Sequence, residues 1–275
     1  MKTRFITGIF ILMMILSFSI QGNAQDNDRP QFVAFSTTAW NMDLDDETAS
    51  PEEWTALSKE YNEKVTMKND YIRSTSVLRH MYTADNAEVI FITTYNSWDD
   101  IEKAQDKNDE LEEAAWPDKK ARMAFMDKMN RYVVNKHSDE IYATTPGAKL
   151  NPDPKDTNRV VYIQKVYRAY PADGSADEYT ALSMEYAQKV TQKNPHLLAY
   201  YPMQHAWGAD NTEVLHVYVL NSMEDLVALN RSWDALEEAA WPDEAKRKAF
   251  FKKFDRYFNG HHGDFIYSYI PGISK

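Results

Sequence analysis

Apolar residues fall into short alternating runs and longer runs of helical spacing, and the two kinds recur in a fixed order. Gln31–Trp40 and Arg159–Tyr167 are rich in β-branched and aromatic residues, which predicts strands. A helical pattern follows each. Ser50-Pro51-Glu52-Glu53 has the form of a capping box with Pro at the first helical position, and Ser175-Ala176-Asp177-Glu178 repeats the box. Trp54, Leu57, Tyr61 and Val65 then recur at helical spacing, matched by Tyr179, Leu182, Tyr186 and Val190. Two more strands come next. They are Ser76–Tyr82 and Glu88–Tyr95 around Asp85-Asn86, then Tyr200–Trp207 and Glu213–Leu220 around Gly208 and Asp210-Asn211. The next helical region starts near Asn96-Ser97 and breaks at Trp116-Pro117, because a residue before Pro avoids the helical conformation. Asp118 can cap a second helix carrying Phe125, Met129, Tyr132 and Val133, matched by Phe250, Phe254, Tyr257 and Phe258. The last strands are Glu140–Thr145 and Phe265–Ile270, each ending in Pro-Gly.

The recurrence is a duplication. Laying Glu53–Gly147 on Glu178–Gly272 needs no gap and gives roughly 42 identities in about 95 positions. Leu111-Glu112-Glu113-Ala114-Ala115-Trp116-Pro117-Asp118, for example, returns as Leu236-Glu237-Glu238-Ala239-Ala240-Trp241-Pro242-Asp243. Ala148–Asn158, with Pro152 and Pro154, reads as a polar linker. The expected organisation is a leader over 1–24, a first domain over 25–147, the linker over 148–158 and a second domain over 159–275.

The order β-α-β-β-α-β is the ferredoxin-like split unit, an α+β class. Two such units in one chain can close their sheets against each other. The sequence thus resembles the dimeric α/β-barrel superfamily, which includes antibiotic-biosynthesis-type monooxygenases and EthD-like and NIPSNAP-like proteins. The resemblance runs over Gln31–Gly272 and rests on element order and duplication. It implies an intrachain dimeric α/β-barrel whose interior takes a ligand or substrate.

Strand alternation sorts residues by face. An aliphatic set (Val33, Phe35, Ile90, Ile92 and Ile141, with Val161, Ile163, Leu215, Val217, Val219 and Ile266) is expected under the helices. The opposite set is aromatic and polar: Phe91, Thr93, Tyr95 and Tyr142, with Tyr162, Gln164, His216, Tyr218, Tyr267 and Tyr269. That face is expected to line a cavity between the sheets. His80 with Tyr82, and His205 with Trp207, join it if their register allows. His80 and His205 occupy equivalent positions and read either as paired ligand or acid/base groups or as hydrogen-bonded structural histidines. His216 replaces Phe91, so the halves differ there, which favours the second half as the working one. Tyr142 and Tyr267 can donate to a ligand oxygen or simply pack. The candidate ligand contacts are therefore His80, His205, His216, Tyr82, Trp207, Tyr142, Tyr218 and Tyr267. His137, His261 and His262 read as imidazoles near a helix C-terminus rather than metal ligands. The Trp-Pro-Asp motifs read as a kink filled by Trp, or as a pocket rim.

Composition narrows the function. With 31 Lys+Arg against 42 Asp+Glu, the net charge of -11 argues against a nucleic-acid binder. With no Cys there is no disulfide, thiolate metal site or Cys nucleophile. GxGxxG, GxxxxGK[ST] and GxSxG are absent. The acidic clusters Asp43–Glu47 and Asp106–Glu113 read as solvated faces. Lys2 and Arg4 precede an apolar run Phe5–Ile20 and small residues to Ala24, the pattern of a signal peptide cleaved after Ala24. The expectation is an exported periplasmic or extracellular protein with no membrane span after cleavage, an intrachain pseudo-dimer able to associate further. Three functions remain: binding of a small hydrophobic or aromatic ligand, a monooxygenase-type enzyme on an aromatic or polycyclic substrate with haem as a conceivable cofactor, and a protein-interaction scaffold. An open cavity with converging His and Tyr tips favours the first two, and a filled interior the third. The sequence identifies no reaction.

Overall fold

The structure is a computed structural model that describes residues 29–44 and 49–275. The apolar segment Phe5–Ile20 and the cleavage expected after Ala24 lie outside the described residues.

The first half runs β1 (Phe32–Ala39), α1 (Pro51–Lys64), β2 (Ser74–Tyr82), β3 (Glu88–Tyr95), α2 (Asp99–Ala115), α3 (Lys119–Asn130) and β4 (Ser138–Thr144). The second repeats it as β5 (Val160–Arg168), α4 (Ala176–Lys189), β6 (Ala199–Trp207), β7 (Glu213–Leu220), α5 (Met223–Ala240), α6 (Glu244–Phe254) and β8 (Phe258–Tyr269). The strands form one closed antiparallel barrel in the order β1-β3-β2-β8-β5-β7-β6-β4. Within a half, the order β4-β1-β3-β2 leaves two open edges. Each is paired by the other half: β2 with β8, and β4 with β6. Among the described residues, no strand edge is left unpaired. β1 and β5 both begin at the same end of the ring.

The faces are largely exchanged relative to the sequence reading. Val33, Phe35, Ile90, Val161, Ile163 and Leu215 fill the barrel interior, not the space under the helices. Tyr162 and Tyr218 pack outward beneath α5 with Leu226 and Leu229, and Phe91 packs outward with Trp54 and Leu57. Both faces of each sheet are covered, so alternation separates the two sets without saying which one the helices cover. The ring is narrow and takes compact aliphatic chains from both halves, while the wider layer beneath the helices takes the rings. Some rings depart from this division: Phe35, Tyr142, Tyr201, Phe265, Tyr267 and Tyr269 pack in the barrel, and Ile266 packs under the helices as expected.

The capping signals form helix starts by a different route. Ser50 accepts from the Glu53 N–H at 3.1 Å, but the Glu53 carboxylate does not return to Ser50. It is held by Lys128, Tyr132 and Arg131, which keep its pKa down at about 2. The Ser50 N–H donates to the Tyr132 hydroxyl, and Tyr132 donates to Glu53. Ser175, Tyr257 and Glu178 repeat the relay, with the Ser175 N–H 3.0 Å from the phenol oxygen.

The Trp-Pro-Asp motif is a wedge between helices. Trp116 caps α2, Asp118 accepts from the Ala121 N–H to start α3, and the indole stacks on Phe125 at 4.3 Å. Trp241 does the same against Phe250 at 4.2 Å and is buried. β8 is longer than expected and takes in His261 and His262, so these are strand residues and not a helix exit. His137 and His262 each pair with a carboxylate, Asp139 at 3.2 Å and Asp264 at 3.3 Å. Among the described residues, no helix is long and apolar enough to cross a membrane.

Candidate functional site

The outward face of β5, β6 and β7 carries Gln164, Tyr200, His216 and Tyr218, and α4, α5 and α6 arch over it. A cavity of about 510 Å³ lies between, within the range of small-molecule sites. Tyr186 of α4, Trp233 of α5, and Phe251 and Phe254 of α6 supply its aromatic wall. Ser183, Gln204, Glu237 and Asp255 add polar groups. Among the described residues, no Lys or Arg lines it.

His216 sits at the floor. Its Nδ1 lies 2.6 Å from the Tyr200 hydroxyl, and the two rings are stacked with an interplanar angle of 7°. Burial pushes the imidazole pKa down to about 4, so it is neutral at pH 7. Burial also raises the phenols of Tyr200 and Tyr218. Tyr162 donates to Asp264 at 2.6 Å and stacks on Tyr218. At the rim, Tyr186 donates to Glu237 at 2.9 Å. Burial raises the carboxyl pKa values of both Glu237 and Asp255.

The sequence candidates separate into three places. His216 and Tyr218 line this cavity. Tyr142 and Tyr267 lie inside the barrel and are tied to carboxylates across the halves. Tyr142 donates to Glu213 at 2.7 Å, and Tyr267 donates to Glu88 at 2.8 Å. Lys165 completes the first pair at 2.7 Å from Glu213, while Thr37 stands at the matching position of β1. His205 lies across the β4–β6 ladder from Tyr142, its Nε2 buried without a partner, and His80 Nδ1 is 2.8 Å from the Thr83 hydroxyl. Neither histidine lines the cavity. Tyr82 and Trp207 are 65% and 66% exposed, so they line no enclosed site. The cavity that takes His216 and Tyr218 lies between a sheet and its helices, not between the sheets.

Sequence reasoning missed Tyr200, Tyr186, Trp233 and Glu237. The comparison between halves held a signal for two of them: Tyr200 and Trp233 stand where the first half has Thr75 and Asn108, just as His216 stands at Phe91. Among the described residues, no group of three or more His, Asp or Glu is placed to hold a metal. Among the described residues, the wall offers Glu237 and Asp255 and no Lys or Arg to meet the propionates of a haem.

No protein-family model matches the sequence, and no curated protein matches it. Solved structures share its fold. The "putative monooxygenase" of Lactobacillus acidophilus NCFM superposes with a TM-score of 0.54 at 7% identity, over 90% of this chain and 99% of that one. The "putative monooxygenase" of Fusobacterium nucleatum gives 0.54 at 7%, over 88% and 93%. An anthrone oxidase-like protein gives 0.48 at 13%, over 90% and 94%. With the first two the chain shares its fold, a dimeric α/β-barrel architecture.

Proposed function

We propose that the protein binds a flat aromatic small molecule, neutral or cationic, in the cavity between the second-half sheet and its helices, and that the protein is exported. One observation carries the binding reading: an aromatic-walled cavity of about 510 Å³ holds a buried neutral imidazole at its floor and lacks any cation. Rings on the wall favour a ring in the ligand through stacking and edge contacts. Carboxyl groups without Lys or Arg disfavour an anion. In the tautomer in which Tyr200 donates to Nδ1, neutral His216 carries its proton on Nε2 and can donate to a ligand oxygen or ring nitrogen. Export rests on the leader pattern of Lys2–Ala24.

A second reading is a monooxygenase-type enzyme acting on an aromatic or polycyclic substrate in the same cavity. It is favoured by the fold shared with the two proteins named as monooxygenases. Tyr200 and His216 are then the groups positioned to move a proton.

The test is a fluorescence titration with planar aromatics of matched size, one neutral, one cationic and one anionic. The neutral and cationic probes should quench tryptophan emission and saturate, and His216→Phe should weaken them at least tenfold. Tighter binding of the anionic probe would refute the reading. Oxygen uptake in the presence of a bound phenol separates an enzyme from a binding protein.

A further inference from the structure

The cavity beneath α4, α5 and α6 has a negative corner. Glu237 of α5 and Asp255, the residue that ends α6, both line it. Burial pushes the Tyr186 phenol of α4 well above the ordinary tyrosine range, and the charges of Glu237 and Asp255 push it further, which places the three groups close together. Glu237 accepts from Tyr186 at 2.9 Å and so commits one carboxylate oxygen. Among the described residues, the Asp255 side chain has no hydrogen bond and no ion pair, and burial is what raises its pKa. The neighbouring cations are engaged elsewhere. Arg247, whose charge reaches Glu237, donates to the Trp241 carbonyl at 2.8 Å and faces Glu238 at 3.9 Å. Arg256 pairs with Asp173 at 3.0 Å and Glu178 at 3.6 Å. Neither arginine lines the cavity, and Asp234 adds a further negative charge near Glu237.

Aromatic rings border the same corner. Phe251 and Phe254 of α6 lie 6.2 and 5.8 Å from the Tyr186 ring, centroid to centroid, and both line the cavity. The negative face of an aromatic ring attracts a cation, most strongly where water is excluded. The first half carries Met126, Met129 and Asn130 at the positions of Phe251, Phe254 and Asp255. It keeps the other carboxylate and its tyrosine, as Glu112 and Tyr61, 2.7 Å apart. The second half thus differs by gaining, at one place, two rings and one unpaired charge.

We propose that the ligand of this cavity is an arylalkylamine, whose ring enters among the aromatic side chains and whose ammonium meets Glu237 and Asp255. The proposal rests on the binding reading above and names the ligand class. An ammonium donates charge-assisted hydrogen bonds to the two carboxylates and lies against the rings of α6. An alcohol of the same shape fills the same space and leaves both charges without a counter-ion. Selectivity for the amine therefore resides in Asp255 and Glu237, and affinity for the ring in the wall and His216.

Isothermal titration calorimetry at pH 7 with 1-naphthylmethylamine and 1-naphthylmethanol tests it. The amine should bind about tenfold more tightly than the alcohol, and added salt should narrow the gap. Asp255→Asn, which installs the residue of the first half, should reduce that preference about threefold. Asp255→Asn with Glu237→Gln, a pair that removes both charges and keeps their size, should abolish it. His216→Phe should weaken both probes. Equal binding of the two probes, or a preference that survives in the double variant, would overturn the amine assignment and leave the binding reading in place. Failure of both probes to bind, or binding that His216→Phe leaves untouched, would overturn the two together.

Discussion

Replacing His216 with phenylalanine, the residue the first half carries at Phe91, changes stability in two separable ways. The first is independent of pH. The Tyr200 hydroxyl loses its partner 2.6 Å away and is left buried, which costs about 1–3 kcal/mol. The second depends on pH. Burial holds the imidazole at about 4, against 6.5 for the ordinary side chain. Above pH 6.5 it is neutral in both folded and unfolded chains and contributes no pH dependence. As pH falls toward 4, the unfolded chain takes up a proton that the folded one refuses, so the native state loses stability. Below 4 both forms are protonated and the loss is complete. The difference in proton affinity amounts to roughly 3 kcal/mol. Phenylalanine has no proton to bind, so the variant escapes that loss. Urea unfolding of both proteins at pH 7, 5.5 and 4, followed by tryptophan fluorescence, reads the difference directly. Every other titrating group is common to the pair and cancels. The variant should be the less stable protein at pH 7 and should lose its disadvantage, or reverse it, by pH 4. A stability gap that stays constant between pH 7 and pH 4 would refute the placement of His216 in a dry site.

Two further substitutions probe the packing around the site. Lys165→Met leaves the buried Glu213 carboxylate with Tyr142 as its remaining side-chain partner and should cost about 3–5 kcal/mol in urea unfolding, part of which Lys165→Met with Glu213→Gln restores. Trp241→Ala removes the ring stacked on Phe250 beneath α6 and should cost about 3–5 kcal/mol, with loss of near-ultraviolet dichroism and of aromatic ligand binding.

Much of the fold was legible because the sequence says the same thing twice. Glu88–Tyr95 and Glu213–Leu220 are strands with the bounds that alternation and turn residues predict. Pro117 and Pro242 mark the helix breaks where the backbone must leave the helical region. What alternation could not decide was orientation. Val161 and Tyr162 are neighbours on one strand, and period two places them on opposite faces without naming either face. The choice is made by barrel closure, a contact between residues more than a hundred positions apart such as Leu78 and Tyr269. The capping box shows a similar limit. Glu53 has the right type and spacing, yet Tyr132, far along the chain, competes for its carboxylate and wins. The site candidates divide for the same reason. His216 was legible as a difference between the halves, whereas Trp207 was a candidate only on strand register and is 66% exposed at the end of β6.

The exchange of edge strands has a consequence for traffic. A ring closed by two inter-half ladders, β2 with β8 and β4 with β6, cannot open by swinging its halves apart without breaking both. The aromatic cavity lies outside that ring, under helices joined to it by their connecting segments and side-chain packing and not by strand ladders. On the proposed binding reading, a ligand enters and leaves by the parting of α4, α5 and α6 while every strand stays paired. Amide hydrogens of these helices should exchange faster than those of the barrel, and a bound ligand should slow the helices and leave the strands as they were. The architecture separates the part that must hold from the part that must yield.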